Sequence, residues 1–137
     1  MDQTTMRTLA GSARVARIGT TDHHGNVHLV PVTFVLRDDI WYSPSDASPP
    51  LAERSRKIAR DPRATVLIDE YDEDWGRVWW VRLRGRGRIL EDGPEREGAR
   101  RMLLEKYPQF VEMSPEEGLG VVLAVDVAEW AAWSYSS

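Results

Sequence analysis

Positively charged side chains are concentrated between residues 54 and 63 of the chain. The stretch holds one carboxylate, Asp61, and five cations, which are Arg54, Arg56, Lys57, Arg60 and Arg63. Guanidinium groups bind phosphate oxygens in pairs and stay protonated in proteins, so a helix that carries several of them can hold a phosphate group. A basic helix that only faces water is the commoner case, and these residues alone leave both interpretations open.

A second row of cations follows the longest predicted strand, which begins at Arg77 or Val78 and ends near Leu90. Because successive side chains of a strand point to opposite faces, one face carries only arginines, namely Arg82, Arg84, Arg86 and Arg88. The other face is apolar apart from Gly85 and Gly87, which indicate a sharp bend or a close approach of another segment. The arginine face is either a second anion site or a wet outer surface.

Other chemistries find little support in the residue types. The chain has no cysteine, which excludes disulfides, thiolate metal sites and cysteine nucleophiles. Three histidines, at 23, 24 and 28, lie in and just after a turn, and the acidic run from Asp69 to Asp74 lacks the spacing of a calcium loop. The sequence also contains no nucleophile elbow, glycine-rich nucleotide loop or HExxH motif. We therefore predict no metal site and can nominate no catalytic residue.

The composition describes one ordinary domain. A chain of 137 residues is long enough for a single core, so residues 1–137 are predicted to form one domain. The net charge of −4 argues against a general binder of nucleic acids or anionic membranes. No signal peptide or membrane span is recognisable, and we expect a cytoplasmic protein. Six tryptophans are many for this length and favour a binding site or a subunit interface.

The strands that must position these residues are mostly separated by short, hairpin-like turns. Period-two patterns and turn residues predict six strands, at residues 15–21, 27–36, 40–43, 64–71, 77–90 and 120–127. A first helix is expected to be capped by Thr4 or Thr5, and a later one to begin at Pro94. Pro31 lacks a backbone donor, which places it at a sheet edge or an interruption of pairing. An antiparallel barrel fits this order better than a parallel sheet.

Several segments, taken in order, carry a family resemblance. The segments HLVPVTFVL, DPRATVLID, WWVRLRGRGRIL and WAAWSY resemble those of the pyridoxamine-phosphate-oxidase-like split β-barrels, over about residues 10–135. DEDWGRVWWVR is closer to the members that use the deazaflavin coenzyme F420 than to those that use FMN. The resemblance implies a mainly β fold, a six-stranded antiparallel split β-barrel of the FMN-binding type. It also implies a homodimer with the cofactor at the subunit interface.

The resemblance also nominates cofactor-binding residues. Arg54 stands where the family places a cation on the cofactor phosphate, with Arg56 and Lys57 beside it. The segment along the flat ring would be Val30, Pro31, Val32 and Thr33. Trp79 and Trp80 stand where the oxidases have polar residues that touch the flavin, and Trp130 and Trp133 match a segment that closes the site from the partner subunit. Two positions depart from the pattern, because Lys57 replaces a frequent asparagine and residues 48–50 (Ser-Pro-Pro) replace a frequent lysine.

The expected function is therefore that of an F420-dependent oxidoreductase, which passes a hydride between the deazaflavin and a small organic substrate. In such enzymes the cofactor performs the chemistry and the protein positions it. The alternatives are an FMN-binding oxidoreductase of the same fold and a non-catalytic protein that binds flavin or deazaflavin. Nucleic-acid binding through the basic stripes is the least favoured hypothesis, given the overall acidity.

Overall fold

The structure is a computed structural model and describes residues 1–45, 57–113 and 120–135. Seven strands lie in this part of the chain: β1 (Ala16–Thr21), β2 (Val27–Val32), β3 (Val35–Arg37), β4 (Ile40–Ser45), β5 (Arg63–Glu70), β6 (Trp79–Leu90) and β7 (Val121–Ser134). The helices are α1 (Gln3–Ser12), α2 (residues 57–60), α3 (Gly93–Lys106) and α4 (Gln109–Met113), and a 3-10 turn covers Trp75–Arg77.

All seven strands form one antiparallel sheet in the order β2-β1-β5-β6-β7-β4-β3. A flat sheet with six inter-strand spacings would be about 29 Å wide. Only Thr33 and Phe34 separate the two edge strands β2 and β3, and three residue steps span at most about 11 Å. The sheet must therefore curl until its edges meet. The predicted mainly β split barrel is confirmed.

The strand count differs from the predicted six because the stretch 27–36 is two strands. The chain changes from one sheet edge to the other at Thr33 and Phe34, whose backbone groups are bound by side chains. Ser43 Oγ donates to the Thr33 carbonyl over 2.8 Å, and Tyr107 Oη accepts from the Phe34 amide over 3.2 Å. These contacts replace ladder hydrogen bonds where the barrel is split. The alternating apolar pattern ran through both strands and hid the break.

Two apolar clusters hold the elements together. The barrel interior contains fully buried side chains from most strands, including Ile18, Phe34, Trp41, Val66, Leu83 and Val125. A second cluster packs α3 against the outside of β4 and β7 through Leu103, Tyr107, Tyr42 and Val122. Neighbouring residues of β4 therefore face two different cores, which explains why both of its faces are buried. In contrast, Leu29 on β2 is 69% exposed and Leu67 on β5 is 37% exposed.

The two glycines of β6 lie where another segment comes close, as predicted. A Cβ atom at Gly85 would stand 2.0 Å from the carbonyl oxygen of Asp126, where the pairing of β6 and β7 shifts register. A Cβ atom at Gly87 would stand 2.8 Å from Ile58 of α2. The first neighbour is backbone and the second is the end of a flexible side chain. Only glycine fits at 85 without moving the main chain.

The helix boundaries combine confirmed and corrected predictions. α3 starts at Gly93 with Pro94 in its first turn, close to the expected start. The cap of α1 was wrong: Asp2, rather than Thr4 or Thr5, accepts from the Thr5 amide over 2.8 Å. β7 is also longer than predicted and contains the whole segment around Trp130 and Trp133. No helix among the described residues is long and apolar enough to cross a membrane.

Candidate functional site

Aromatic side chains, four of them exposed and Trp80 partly buried, gather on the outside of the barrel around the start of β6 and the end of β7. We call this set the aromatic shelf: Tyr71, Trp75, Trp80, Trp133 and Tyr135. Trp80 and Trp133 are direct cross-strand partners, and the Tyr135 ring lies 6.3 Å from that of Trp133 and 6.5 Å from that of Trp75. Trp75 Nε1 donates to Tyr71 Oη over 3.3 Å. Trp75 and Tyr135 are each 59% exposed, so the shelf offers flat rings to a partner molecule.

A pocket of about 300 Å³ adjoins the shelf between β5 and β6. Leu67, Tyr71 and Trp80 give it apolar and aromatic walls, and Asp69, Glu70 and Arg82 supply charges. The Arg82 guanidinium carbon lies 5.5 Å from the centroid of the Trp80 ring. Arg82 Nε is buried and has no hydrogen-bond partner in the described part of the chain. A buried donor without a partner is costly, which makes this nitrogen a candidate contact for a ligand.

The backbone register places the predicted β2 segment level with this pocket. Pro31 pairs with Arg17, Arg17 with Leu67, and Leu67 with Arg82. These four residues thus form one row across four strands, about 14 Å from end to end at normal strand spacing. The Arg17 guanidinium pairs with Asp69 over 2.9 Å beside the row. β2 and the shelf consequently border one continuous outer face.

Val30–Thr33 divides between the two sides of the barrel wall. Val30 and Val32 pair with Ile18 and Ala16 and pack against the barrel core. Pro31 lies on the exposed side of β2, which is an edge strand, as its missing donor predicted. The Thr33 carbonyl is already used by Ser43. Within this segment Pro31 is therefore the side chain most open to a ligand.

The four predicted tryptophans also separate into two pairs. Trp80 and Trp133 belong to the aromatic shelf. Trp79 faces the core, is 6% exposed, and donates from Nε1 to Glu70 over 3.3 Å. Trp130 packs against the core, where its Nε1 donates to Asp39 over 3.1 Å and the Arg7 guanidinium covers its ring at 4.4 Å. Within one chain only the first pair presents its rings to the outer face.

The predicted phosphate anchors are only partly visible. Arg54 and Arg56 lie outside the described residues. Lys57 is the first described residue of α2, where it is partly buried and its carbonyl accepts from the Asp61 amide over 2.8 Å. α2 is held in place by Ile58, which is 3% exposed and packs beside Gly87 in the second half of β6. Lys57 is thus the one predicted anchor whose position the structure gives.

Arg60 and Arg63 have partners within the chain. Arg63 holds the Asp61 carboxylate through Nε and Nη2, at 2.6 to 3.2 Å, and keeps the pKa of that carboxyl well below its usual range. Arg60 Nη1 lies 3.0 Å from His23 Nδ1, in the turn between β1 and β2. These contacts give both arginines structural roles within the chain.

The arginines of β6 are not equivalent, although they share a face as predicted. Arg88 binds Asp126 and Glu95 with bonds of 2.6 and 2.8 Å to each carboxylate. The hydrogen bonds from Arg88 lower the pKa of Glu95 to about 2, and burial together with Glu95 raises the pKa of Tyr42 to about 12. Arg84 lies 3.7 Å from Glu129. Arg88 is therefore a structural cation, and Arg82 is the better candidate for an external anion.

Metal binding has no support within the described ranges. No group of three or more histidine, aspartate or glutamate side chains there could hold a metal ion. His28 Nε2 lies 3.0 Å from Asp22, whose carboxylate also accepts from the amides of His24 and Asn26. Asp22 thus organises its own turn, and hydrogen bonding keeps its pKa far below the usual range. These are the contacts of a structural turn.

The barrel, split at the connection between β2 and β3, defines the class of fold, and comparison with known sequences assigns the family. The family profile described as pyridoxamine 5'-phosphate oxidase matches residues 3–134. The chain belongs to this family. A search of curated proteins found no significant match.

Solved structures confirm the fold. A conserved hypothetical protein of Mycobacterium tuberculosis superposes with a TM-score of 0.80 at 17% identity, over 98% of this chain and 85% of the other. A FAD-binding protein from Mesorhizobium loti gives 0.77 at 17%, over 96% and 94%. The FAD-binding protein of Mycobacterium smegmatis gives 0.72 at 18%, over 98% and 97%. At identities this low, the likeness establishes the split-barrel fold and does not identify a ligand.

Proposed function

We propose that the protein is a homodimeric oxidoreductase that uses the deazaflavin coenzyme F420 to reduce or oxidise a small organic molecule. The observation that carries the proposal is the aromatic shelf beside Arg82, whose buried Nε has no partner in the described part of the chain. A flat, conjugated and negatively charged cofactor offers stacking surface to Trp80 and acceptor oxygens to Arg82. Membership of the pyridoxamine 5'-phosphate oxidase family supports a flavin-type ligand.

We propose the dimer because several apolar side chains are exposed on the outer face of the sheet. Val27, Leu29 and Leu67 are 64%, 69% and 37% exposed on the same side of the sheet as the aromatic shelf. Exposed apolar side chains gathered on one face are typical of a protein interface. Trp80 of the aromatic shelf and Gly87, which lies against α2, are seven residues apart on β6. At the usual rise of a strand, these two residues of one subunit are about 23 Å apart. A two-fold axis through the outer face would bring the shelf of one subunit towards β2 and α2 of its partner.

The residues that would contact the cofactor define what the protein would contribute to the reaction. Arg54, Arg56 and Lys57 would bind the phosphate, and Pro31 and Trp80 would hold the ring from two sides. The bound deazaflavin supplies two-electron hydride chemistry, while the protein orients the reactants and excludes water from them. Tyr71 and Trp133 would provide contact surface for an apolar substrate.

The second candidate is the same barrel with a flavin nucleotide. Two of the similar structures are FAD-binding proteins, and the outer face described above suits any isoalloxazine-like ring. A protein that carries or stores the cofactor without turnover is a further alternative. The three differ in cofactor preference and in turnover, which can be measured separately.

The decisive experiment titrates the purified protein with F420, FMN and FAD under identical conditions. We expect tightest binding to F420, and a loss of about tenfold in Arg54→Ala, since a charge-assisted hydrogen bond contributes about 1.5 to 3 kcal/mol. Arg63→Ala is the matched control, because Arg63 is paired with Asp61. Preferential binding of FMN or FAD would overturn the F420 assignment and leave the flavin alternative. Tight F420 binding without turnover on nitro, enone and tetrapyrrole acceptors would favour the carrier.

The proposed dimer has its own test in sedimentation. Leu29→Glu puts a charge on the exposed apolar face without touching the core and should convert a dimer to a monomer. Val111→Glu is the control, because Val111 is 53% exposed on α4, away from this face. A wild-type protein that sediments as a monomer at micromolar concentration would contradict the proposed dimer.

A further inference from the structure

The four exposed rings of the aromatic shelf are Tyr71, Trp75, Trp133 and Tyr135, and we call them the outer rings. Each of these residues is between 43% and 64% exposed. The plane of the Tyr135 ring is inclined by 78° to that of Trp133 and by 67° to that of Trp75. These rings meet at steep angles instead of stacking, so that their faces point in different directions around one place on the surface. A ligand at this place can meet ring faces from more than one side.

Hydrogen bonds fix the backbone that carries the outer rings. In the turn before β6 the Asp72 carboxylate accepts from the Asp74 amide over 2.7 Å, and the Asp74 carboxylate accepts from the Gly76 amide over 3.0 Å. At the end of β7 the Tyr135 amide donates to the Val78 carbonyl over 3.3 Å. Because the backbone under the rings is already held in place, a ligand that binds them has less ordering to impose.

Elsewhere in the molecule, aromatic rings are covered by the chain's own cations. A ring face attracts a positive charge within about 6 Å of its centroid. Four rings have such a cation: Trp130 has Arg7 at 4.4 Å, Tyr107 has Arg14 at 4.6 Å, Trp80 has Arg82 at 5.5 Å and Phe34 has Lys106 at 3.9 Å. None of the cations that the structure describes lies over an outer ring. The outer rings therefore keep this capacity for a cation from outside the chain.

The segment that carries Tyr71 and Trp75 is strongly acidic. Residues 69–77 contain five carboxylates and one cation, Arg77, and one of the five carboxylates is already paired with Arg17. An acidic surface of this kind attracts cations and repels phosphates and carboxylates. Arg82, the proposed contact of the anionic cofactor, is four residues along β6 from the residue that binds the Tyr135 amide, which is about 13 Å. The aromatic shelf consequently has two ends of opposite charge.

We propose that the outer rings bind the cationic group of a small organic molecule of the quaternary ammonium class. Flat rings alone would also suit a sugar or an apolar chain, and the acidic surroundings decide for a cation. A quaternary ammonium group presents apolar methyl groups to the ring faces and a positive charge to their quadrupoles, whereas a primary ammonium group is strongly hydrated. In the proposed function this molecule is the substrate. Its role as a substrate rests on that function, and the binding site itself does not.

The test follows the indole N–H signals of the six tryptophans by NMR while choline is added to the full chain at constant chloride concentration. The comparison ligand is 3,3-dimethyl-1-butanol, in which a carbon atom replaces the charged nitrogen. Trp75→Phe and Trp133→Phe identify the two signals of interest. We expect choline to shift both signals to saturation and to bind about fivefold or more tightly than the neutral alcohol. Equal affinity for the two ligands, or the lack of a saturable shift at Trp75 and Trp133, would overturn the proposal.

A matched pair of charge variants tests the acidic surroundings. Glu73→Lys reverses an exposed charge beside the outer rings, and Glu91→Lys makes the same change at an exposed position beyond the other end of β6. We expect only Glu73→Lys to weaken choline binding several-fold, with binding of the neutral alcohol unchanged in both variants. Equal affinity for choline in the two variants would contradict the role of the acidic segment.

The titrations with choline contain no cofactor, so their outcome is separate from that of the F420 titration. Choline binding without F420 binding would leave the cation site in place and overturn the proposed function. F420 binding without choline binding would overturn the cation site alone.

Discussion

The two halves of β6 show how one regular sequence pattern can serve two purposes. In the first half Trp80 and Arg82 point to an open face, and Arg82 Nε has no partner among the described residues. In the second half Arg88 is bound by two carboxylates and Gly87 is covered by Ile58 of α2. The alternation of arginine with small or apolar residues is the same in both halves. The difference lies in the neighbours that β7, α2 and α3 bring to the strand.

In the second half Arg88 is fully paired and serves stability, whereas Arg82 Nε in the first half has no partner among the described residues. Buried or half-buried charged groups are normally paired, because the loss of water must be compensated. Arg88 meets this condition through Glu95 and Asp126. Arg82 Nε does not meet it among the described residues, which is why we propose that it contacts a ligand. Substitutions in the two halves should therefore separate stability from binding.

Gly85→Ala should have the largest effect, on stability. The added Cβ atom would stand 2.0 Å from the Asp126 carbonyl oxygen, so β6 or β7 would have to move at the register shift. We expect a loss of about 3 kcal/mol or more in the free energy of unfolding, measured by urea denaturation. Gly11→Ala is the control, because its Cβ atom meets nothing within 4 Å and alanine favours the helix. Equal midpoints for Gly85→Ala and the wild type would contradict the close approach.

Arg88→Leu should have the next largest effect. The change leaves Glu95 and Asp126 without their cation, and about 2 kcal/mol should be lost from the free energy of unfolding once partial exposure to water is allowed for. Arg86→Leu is the matched control on the same face, and surface substitutions of this kind usually change stability by less than about 0.5 kcal/mol. Similar losses in the two variants would show that the network around Arg88 has no special role.

The loss of folding stability at acidic pH should depend on the same ion pairs around Arg88. Glu95 has a pKa of about 2 in the folded protein, against an ordinary value of 4.5. Its contribution to stability is therefore complete above about pH 4.5 and is lost as the pH falls towards 2. In Glu95→Gln the slope of stability against pH in this window should become shallower. An unchanged slope would place the acid sensitivity in other carboxylates, with Asp61 and Asp22 as the next candidates.

The sequence predicted the barrel, but it could not show which residues of one type, such as the tryptophans, face the core and which face outwards. Period-two patterns, Pro31 and the glycines of β6 predicted an antiparallel barrel because they are local consequences of strand geometry, and the family resemblance implied that this barrel is split. The roles of Trp79 and Trp130 were harder to predict because they depend on which side of the wall each faces and on distant partners such as Glu70 and Asp39. The bridge that Lys106 at the end of α3 makes to the carbonyls of Gly11 and Phe34 could not be predicted from local patterns, since these acceptors are 95 and 72 residues away.

Arg82→Leu should have the smallest effect on stability and a clear effect on binding. The change removes a buried nitrogen without a described partner, and it gives up only a weak contact with the Trp80 ring at 5.5 Å, so stability should stay within about 0.5 kcal/mol. If Arg82 contacts the cofactor, the dissociation constant for F420 should rise about tenfold. Arg86→Leu, on the same face, provides the control for loss of charge. A large loss of stability in Arg82→Leu would make the first half of β6 structural like the second and would remove the contrast between them.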